Sequence, residues 1–437
     1  MVNERGRIAG TMLARMRSSE MLRHGALVMS AVMGANIFGF LYHVVVSREL
    51  GVTRYGVLYA LISISVIALL PASILSPVIT KFSAELYATG GSAHVRALAR
   101  FVVRWFLWLA LAYALAGALL AAPLAAFFHV PSWAIVLNAV ATGLFAISAA
   151  LRAIVQGCQD FVGYAAATIA DGSARLIAGA VLVVLGWGIG GGLGGLLVAG
   201  VCGSIAALLR LPRRGEQDVP LHVDWRRVAI TTYGAAVATA CVTLLGYGDV
   251  AIVKHYFNAT DAGIYSAASL DGKMMLFLVG FAPALLLPKV VDRLRRGERT
   301  RGTLFAVLGV VFVLSTVGLA CFALFPRFIV DVLNSGKFSA AIPYLFGYAG
   351  AMVLLSLTNL LTTYAIGIHR MAFALPLMVV CVAGLGAIAA YHPSIGSVIG
   401  LLIATNAVAL LTVAVIVAAG GPTATARVEA ATASPVG

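Results

Sequence analysis

Lys273 and Asp271 stand two residues apart inside one apolar run of the chain, and Asp249 stands near the end of the preceding run. On insertion scales a charge at mid-bilayer costs roughly 2.5–3.5 kcal/mol, so ionisable groups inside a membrane span pair, line a polar path or hold cargo. A lysine so placed is a donor for a pyrophosphate or an acidic sugar, or one half of an ion pair with another helix. A separation of two puts Lys273 and Asp271 on nearly opposite helix faces, so they do not serve each other. Asp249 and Asp271 are the ion-coupling candidates, because a carboxylate out of water holds a proton more readily; Asp249 could equally cap or pair locally. Arg48 and Arg54, just past the first apolar run, could draw in an anion or be solvated loop charges. Lys81, at the end of the second run, could meet an entering pyrophosphate or snorkel to headgroups. Asp171 and Arg175, at i and i+4 with the acid first, read as a structural ion pair.

Other chemistries lack their residues. The histidines do not cluster and the five cysteines include no C-x-x-C pair, so no metal site is indicated. The run Gly190 to Gly195 lacks the G-K-[ST] ending of a phosphate-binding loop and reads as a tight turn with close helix packing. No paired carboxylates occur in a loop, and the longest outer loop, around 326–340, has only about 15 residues. A membrane glycosyltransferase or polymerase would need more, so the chain reads as a non-enzyme without a cofactor.

The elements that must position these groups are membrane helices. Of 437 residues, 61% are hydrophobic and 11% charged, against about 25% charged in soluble domains. Such a chain has too little polar surface for water, whereas lipid requires none. Runs of about 20 apolar residues fall at 25–46, 57–80, 102–124, 133–155, 163–185, 190–210, 228–250, 264–287, 303–325, 341–362, 372–390 and 396–419. Twelve spans put both termini on one side. Of the 30 Lys and Arg, Arg175 and Lys273 lie in spans. Arg48, Arg54, Lys254, Arg327 and Lys337 lie on one side, and the other 23 lie on the side of the termini. The positive-inside rule makes that side cytoplasmic and accounts for most of the net charge of +14 without nucleic acid. The expected organisation is a basic N-terminal segment 1–24, a six-helix bundle 25–210, a linker 211–227, a second bundle 228–419 and a disordered tail 420–437. Residues 11–24 read as an amphipathic surface helix or a frayed tail.

The bundles look like two copies of one plan. Gly56 aligns with Gly263 and Thr53 with Thr260 at one offset, and Pro77 corresponds to Pro283 within one residue. The segment QGCQDF (156–161) lines up with IGIHRM (366–371), each after the fourth span of its half. Several matches in order indicate a duplication, with halves running parallel because six spans return to the starting side. Pro71, Pro77, Pro283 and Pro288 remove backbone donors in the second span of each half and are candidates for gating bends or for fixed kinks.

The run from Ser47 to Tyr59, with RELG followed by RYGVLY, resembles the signature of polysaccharide flippases, and Asp249 with AGIYSAA (262–268) resembles its counterpart in their second half. These Wzx-type O-antigen flippases belong to the multidrug/oligosaccharidyl-lipid/polysaccharide exporter superfamily, and the resemblance runs from about residue 25 to 419. It implies an all-α polytopic fold with two six-helix bundles in a V around a central cavity. It further implies a bacterial inner-membrane protein that turns a polyprenyl-pyrophosphate-linked oligosaccharide from the inner to the outer leaflet by alternating access. Expected partners are the bilayer, the lipid-linked glycan of lipopolysaccharide or polysaccharide biosynthesis, and a polymerase and glycosyltransferases. The cationic cavities of such flippases favour cargo binding by Lys273. A multidrug exporter of the same fold stays open as the alternative.

Overall fold

A computed structural model describes residues 2–211, 225–334 and 336–419, with side chains at 2–24, 89–92, 225–231, 284, 288 and 295 outside the description. The expected linker 211–227 and tail 420–437 lie almost wholly outside it, as do the side chains of the basic segment 1–24. Every regular element among the described residues is helical. These are α1 (Val2–Ala68), α2 (Leu70–Leu119), α3 (Ala121–Phe128), α4 (Ser132–Gly157), α5 (Phe161–Leu182), α6 (Gly188–Arg210), α7 (Trp225–Tyr256), α8 (Ala259–Leu278), α9 (Ala282–Arg295), α10 (Arg301–Leu324), α11 (Pro326–Asn334), α12 (Ile342–Gly367), α13 (Ala374–Ala390) and α14 (Ile395–Ala418). Among the described residues, eight stretches are long and apolar enough to cross a membrane. Phe161–Arg210 contains two of the expected spans, Gly25–Ala68 contains one and the first half of the next, and α13 is a shorter apolar helix. The chain is therefore an all-α polytopic membrane protein, with each expected span helical over most of its length.

Breaks in the long helices have local causes. Gly51 inside α1 has φ 70°, and Gly186 and Gly188 between α5 and α6 have φ 89° and 57°, conformations that side-chain-bearing residues rarely adopt. The second break folds α6 back on α5. There a β-carbon on Gly195 would fall 2.6 Å from the Gly179 Cα, so backbones meet where side chains normally would. Pro71 lies in the first turn of α2, just past the turn at Leu69, and Pro283 lies in the first turn of α9, after the turn at Val279–Phe281. A first turn tolerates proline because its N–H would have no helical acceptor. The helix continues through Pro77; Pro288 falls within α9, its side chain undescribed. The segment expected as an outer loop around 326–340 instead forms α11, because Val330, Leu333 and Asn334 recur at helical spacing and bury one face.

The described contacts divide the chain into two compact units. The first contains Met1–Val46, Leu75–Ala121 and Trp133–Val223; the second contains Ser47–Ile74, Ala122–Ser132 and Asp224–Gly437. The first is organised by α4, α5 and α6. Asp160 caps α5 by accepting from Gly163 N at 2.8 Å and takes the Arg210 guanidinium at 2.9 and 3.0 Å, tying the start of α5 to the end of α6. The second is organised around α12, which packs on α7, α8, α9, α10 and α14. Asn258 caps α8, and a reciprocal Ser394–Ser397 capping box starts α14.

The stretches aligned by the expected duplication share a local geometry. Helices α4 and α12 are both 26 residues long, and each follows a short helix. The next residues repeat one geometry. Gln159 and His369 both lie in the left-handed region at φ 59° and 56°, followed by the bonds Asp160 N to Val155 O (3.3 Å) and Arg370 N to Ala365 O (2.8 Å). Both ends match the helix-terminating motif that normally uses glycine.

Candidate functional site

The polar residues of α8 sort by face. Tyr265, Ser269 and Lys273 follow at intervals of four and share one side, while Asp271 points elsewhere. Lys273 is 1% exposed. Its ammonium donates to the Tyr59 hydroxyl at 3.0 Å and sits 4.0 Å from the Tyr247 ring centre and 5.1 Å from that of Tyr59. It makes no ion pair among the described residues. A lysine has three N–H donors, and two here have no acceptor among the described residues. Aromatic faces can hold a cation electrostatically without neutralising it.

Asp249, from α7, lies beside this lysine group. Its Oδ2 accepts from Tyr265 OH (2.6 Å) and Tyr348 OH (2.7 Å), and Ser269 donates to the Tyr348 oxygen at 2.8 Å. Its Oδ1 is buried without a hydrogen bond. The result is a cluster from α1, α7, α8 and α12 in the second unit, buried except for the half-buried Tyr247, holding one cation and one carboxyl that do not form a salt bridge. Tyr55, stacked on Tyr59 at 5.8 Å and edge-on to Phe338 at 5.8 Å, closes its end.

Asp271 belongs to a second cluster. It is wholly buried, and Asn334 Nδ2, from the end of α11, donates to its Oδ2 at 3.0 Å. Nearby, Arg48 donates to the Val332 carbonyl and Lys337 donates to the Arg48 carbonyl at 2.7 Å, which clasps the segment around α11 to residue 48. Arg54 is exposed, and Lys81 is exposed in an i, i+4 pair with Glu85 at 3.8 Å. Asp171 is buried, but its ion-pair partner is Arg152 on α4 at 3.4 Å rather than Arg175. The Arg175 guanidinium lies over the Tyr42 ring, 6.0 Å from its centre. A carboxylate on a crowded helix face gains more from a cation on the facing helix than from an intrahelical partner whose side chain packs elsewhere.

The structure thus brings Lys273 and Asp249 into one cluster and Asp271 and Arg48 to the α11 clasp, while Arg54 and Lys81 belong to neither. The sequence reading missed Tyr59, Tyr247, Tyr265, Tyr348 and Asn334. Tyr265 is signalled by its four-residue spacing from Ser269 and Lys273; an isolated tyrosine or asparagine in another span looks like ordinary core.

No family model matches the chain, and no curated protein matches its sequence. Solved structures do match its fold. An inward-facing multidrug resistance MATE family transporter of the MOP superfamily superposes with a TM-score of 0.73 at 12% identity, over 93% of this chain and 98% of the other. The lipid II flippase MurJ, in an inward closed conformation, gives 0.68 at 11% identity over 93% and 90%. A eukaryotic MATE transporter gives 0.63 at 11% identity over 94% and 99%. The chain has the fold shared by these proteins.

Proposed function

We propose that this chain is a transporter that turns an anionic lipid-linked oligosaccharide, carried on a polyprenyl pyrophosphate, from the inner to the outer leaflet for cell-surface polysaccharide biosynthesis. The observation that carries this reading is Lys273: a buried ammonium held by a tyrosine hydroxyl and a tyrosine face, with two donors to spare. A pyrophosphate oxygen is the acceptor such donors lack, and the tyrosines can stack on sugar rings. Arg54, exposed, outside the clasp at Arg48 and on the outer side, is suited to meeting the anion after Lys273, as the cargo leaves. Lys81, on the cytoplasmic side, meets the entering anion first by exchanging Glu85 for a phosphate, since an exposed pair of this kind is worth little.

Asp249 is the coupling group in this reading. Ionised, it balances the charge of Lys273 in the empty site; protonated, it leaves that charge to the cargo. The site would open to each side in turn, with Pro71, Pro77, Pro283 and Pro288 marking where helices bend. The setting is a bacterial inner membrane with cytoplasmic termini, and a polymerase and glycosyltransferases act on either side of the step. The solved MurJ structure, named for a lipid II flippase, supports a lipid-linked cargo in this fold.

A multidrug exporter is favoured by a different observation: Asp249 among Tyr265 and Tyr348 would suit an organic cation. Proteoliposomes decide between the two. The proposed reading expects inward-to-outward movement of a fluorescent polyprenyl-pyrophosphate oligosaccharide and none of a lipophilic cation dye; dye movement alone would establish the exporter.

A further inference from the structure

Asp271 and Asn334 share an anomaly that the cargo reading does not use. Both are 0% exposed and joined by one hydrogen bond, from Asn334 Nδ2 to Asp271 Oδ2. Yet Asp271 Oδ1 and Asn334 Oδ1 are both buried without a partner. Buried acceptors are rarely left unpaired, and an ionised carboxylate out of water needs a cation or several donors. Asp271 has neither. Lys273 is turned to Tyr59 and Tyr247, and Asp249 on α7 is turned to Tyr265 and Tyr348. From α11 and the following turn, Arg327, Asp331 and Lys337 are exposed, and α10 carries Arg301 at its exposed start. The phenol of Tyr59 is the titratable group from α1 that interacts with Asp271.

We propose that Asp271 is a proton-binding site, with the acid's Oδ1–H donated to Asn334 Oδ1 so that the two side chains close a carboxylic acid–amide pair. One proton then satisfies both orphaned oxygens. A bound metal cation would need more oxygen ligands than these two side chains offer. The pair is also the inner fastening of α11, whose outer fastening is the clasp of Arg48 on Val332 and Lys337 on Arg48. Loss of the proton to water leaves a carboxylate oxygen facing an amide oxygen, two acceptors that repel, and the end of α11 comes off α8. The site is thus a proton-controlled latch on the helix preceding α12, and it stands whatever the cargo is.

Two measurements on the full-length protein in nanodiscs test it. Infrared difference spectra across a pH step should show a protonated carboxyl band that disappears in Asp271→Asn, a variant whose amide can donate to Asn334 as the acid does. Hydrogen exchange of residues 326–338, corrected for its intrinsic pH dependence, should be slow at low pH. Once Asp271 ionises, it should rise about tenfold per pH unit, and in Asp271→Asn it should stay slow at every pH. Absence of the band, exchange independent of pH in the wild type, or exchange set by sodium at fixed pH would overturn the proposal. The wild-type pH series alone suffices should the variant not fold.

Discussion

Gly56 and Gly263 meet backbone to backbone: a β-carbon on Gly56 would lie 2.7 Å from the Gly263 Cα, and one on Gly263 would run into the Val52 carbonyl. These glycines are also the positions aligned by the expected duplication, and the helix after Gly51 crosses α8 there. The crossing brings Tyr59 to Lys273. Gly263→Ala should therefore destabilise the protein by about 1–3 kcal/mol through overpacking. Gly400→Ala, where a β-carbon meets nothing within 4 Å, should be neutral or slightly stabilising. Thermal melting in detergent compares the two, and equal melting temperatures would rule out the tight crossing.

Lys273 and Tyr247 should be energetically coupled. In a double-mutant cycle of Lys273→Met and Tyr247→Leu, the coupling energy should be about 1–2 kcal/mol, as for a desolvated cation–aromatic contact. Additive effects would mean that the ring does not hold the ammonium.

Gln159 and His369 adopt a conformation that costs a residue with a side chain roughly 1 kcal/mol relative to glycine. Gln159→Gly and His369→Gly should each raise stability by some fraction of that, after the entropy glycine adds to the unfolded chain. Denaturant or thermal titration of both reads the result; a loss of stability in either would show that its side chain matters more than its backbone.

Asp160 gives a pH prediction with a definite sign. Partial burial opposes ionisation, but the Arg210 guanidinium and the Gly163 N–H outweigh it and hold the carboxyl below its ordinary range. A carboxyl lowered on folding contributes stability above its unfolded-state titration and loses it as pH falls through its folded value. Asp160→Ala should melt below the wild type at neutral pH, and the gap should narrow in acid. A gap that widened with acid would reverse the assignment.

The fold was legible in the sequence because a bilayer imposes long apolar runs, but the tight turn expected over Gly190 to Gly195 falls at Gly186 and Gly188 instead, and that run is helical, at the start of α6. The helix α11 was not, since nine residues with three inward-facing ones look like a loop between spans. Of the site, Lys273, Asp249 and Asp271 were visible because charge inside an apolar run is costly. Their partners were not, because Tyr59, Tyr247 and Tyr348 come from separate helices and only tertiary packing sets them around one ammonium. The same cause explains Asp171: the i, i+4 rule sees Arg175, while the facing helix supplies Arg152.

The central claim is that Lys273 receives the anionic head of a lipid-linked cargo, and binding of a polyprenyl pyrophosphate to purified protein in nanodiscs tests it most directly. The account predicts saturable binding by the wild type, at least tenfold weaker binding by folded Lys273→Ala, and partial recovery in Lys273→Arg. Equal affinity in the wild type and Lys273→Ala would contradict it.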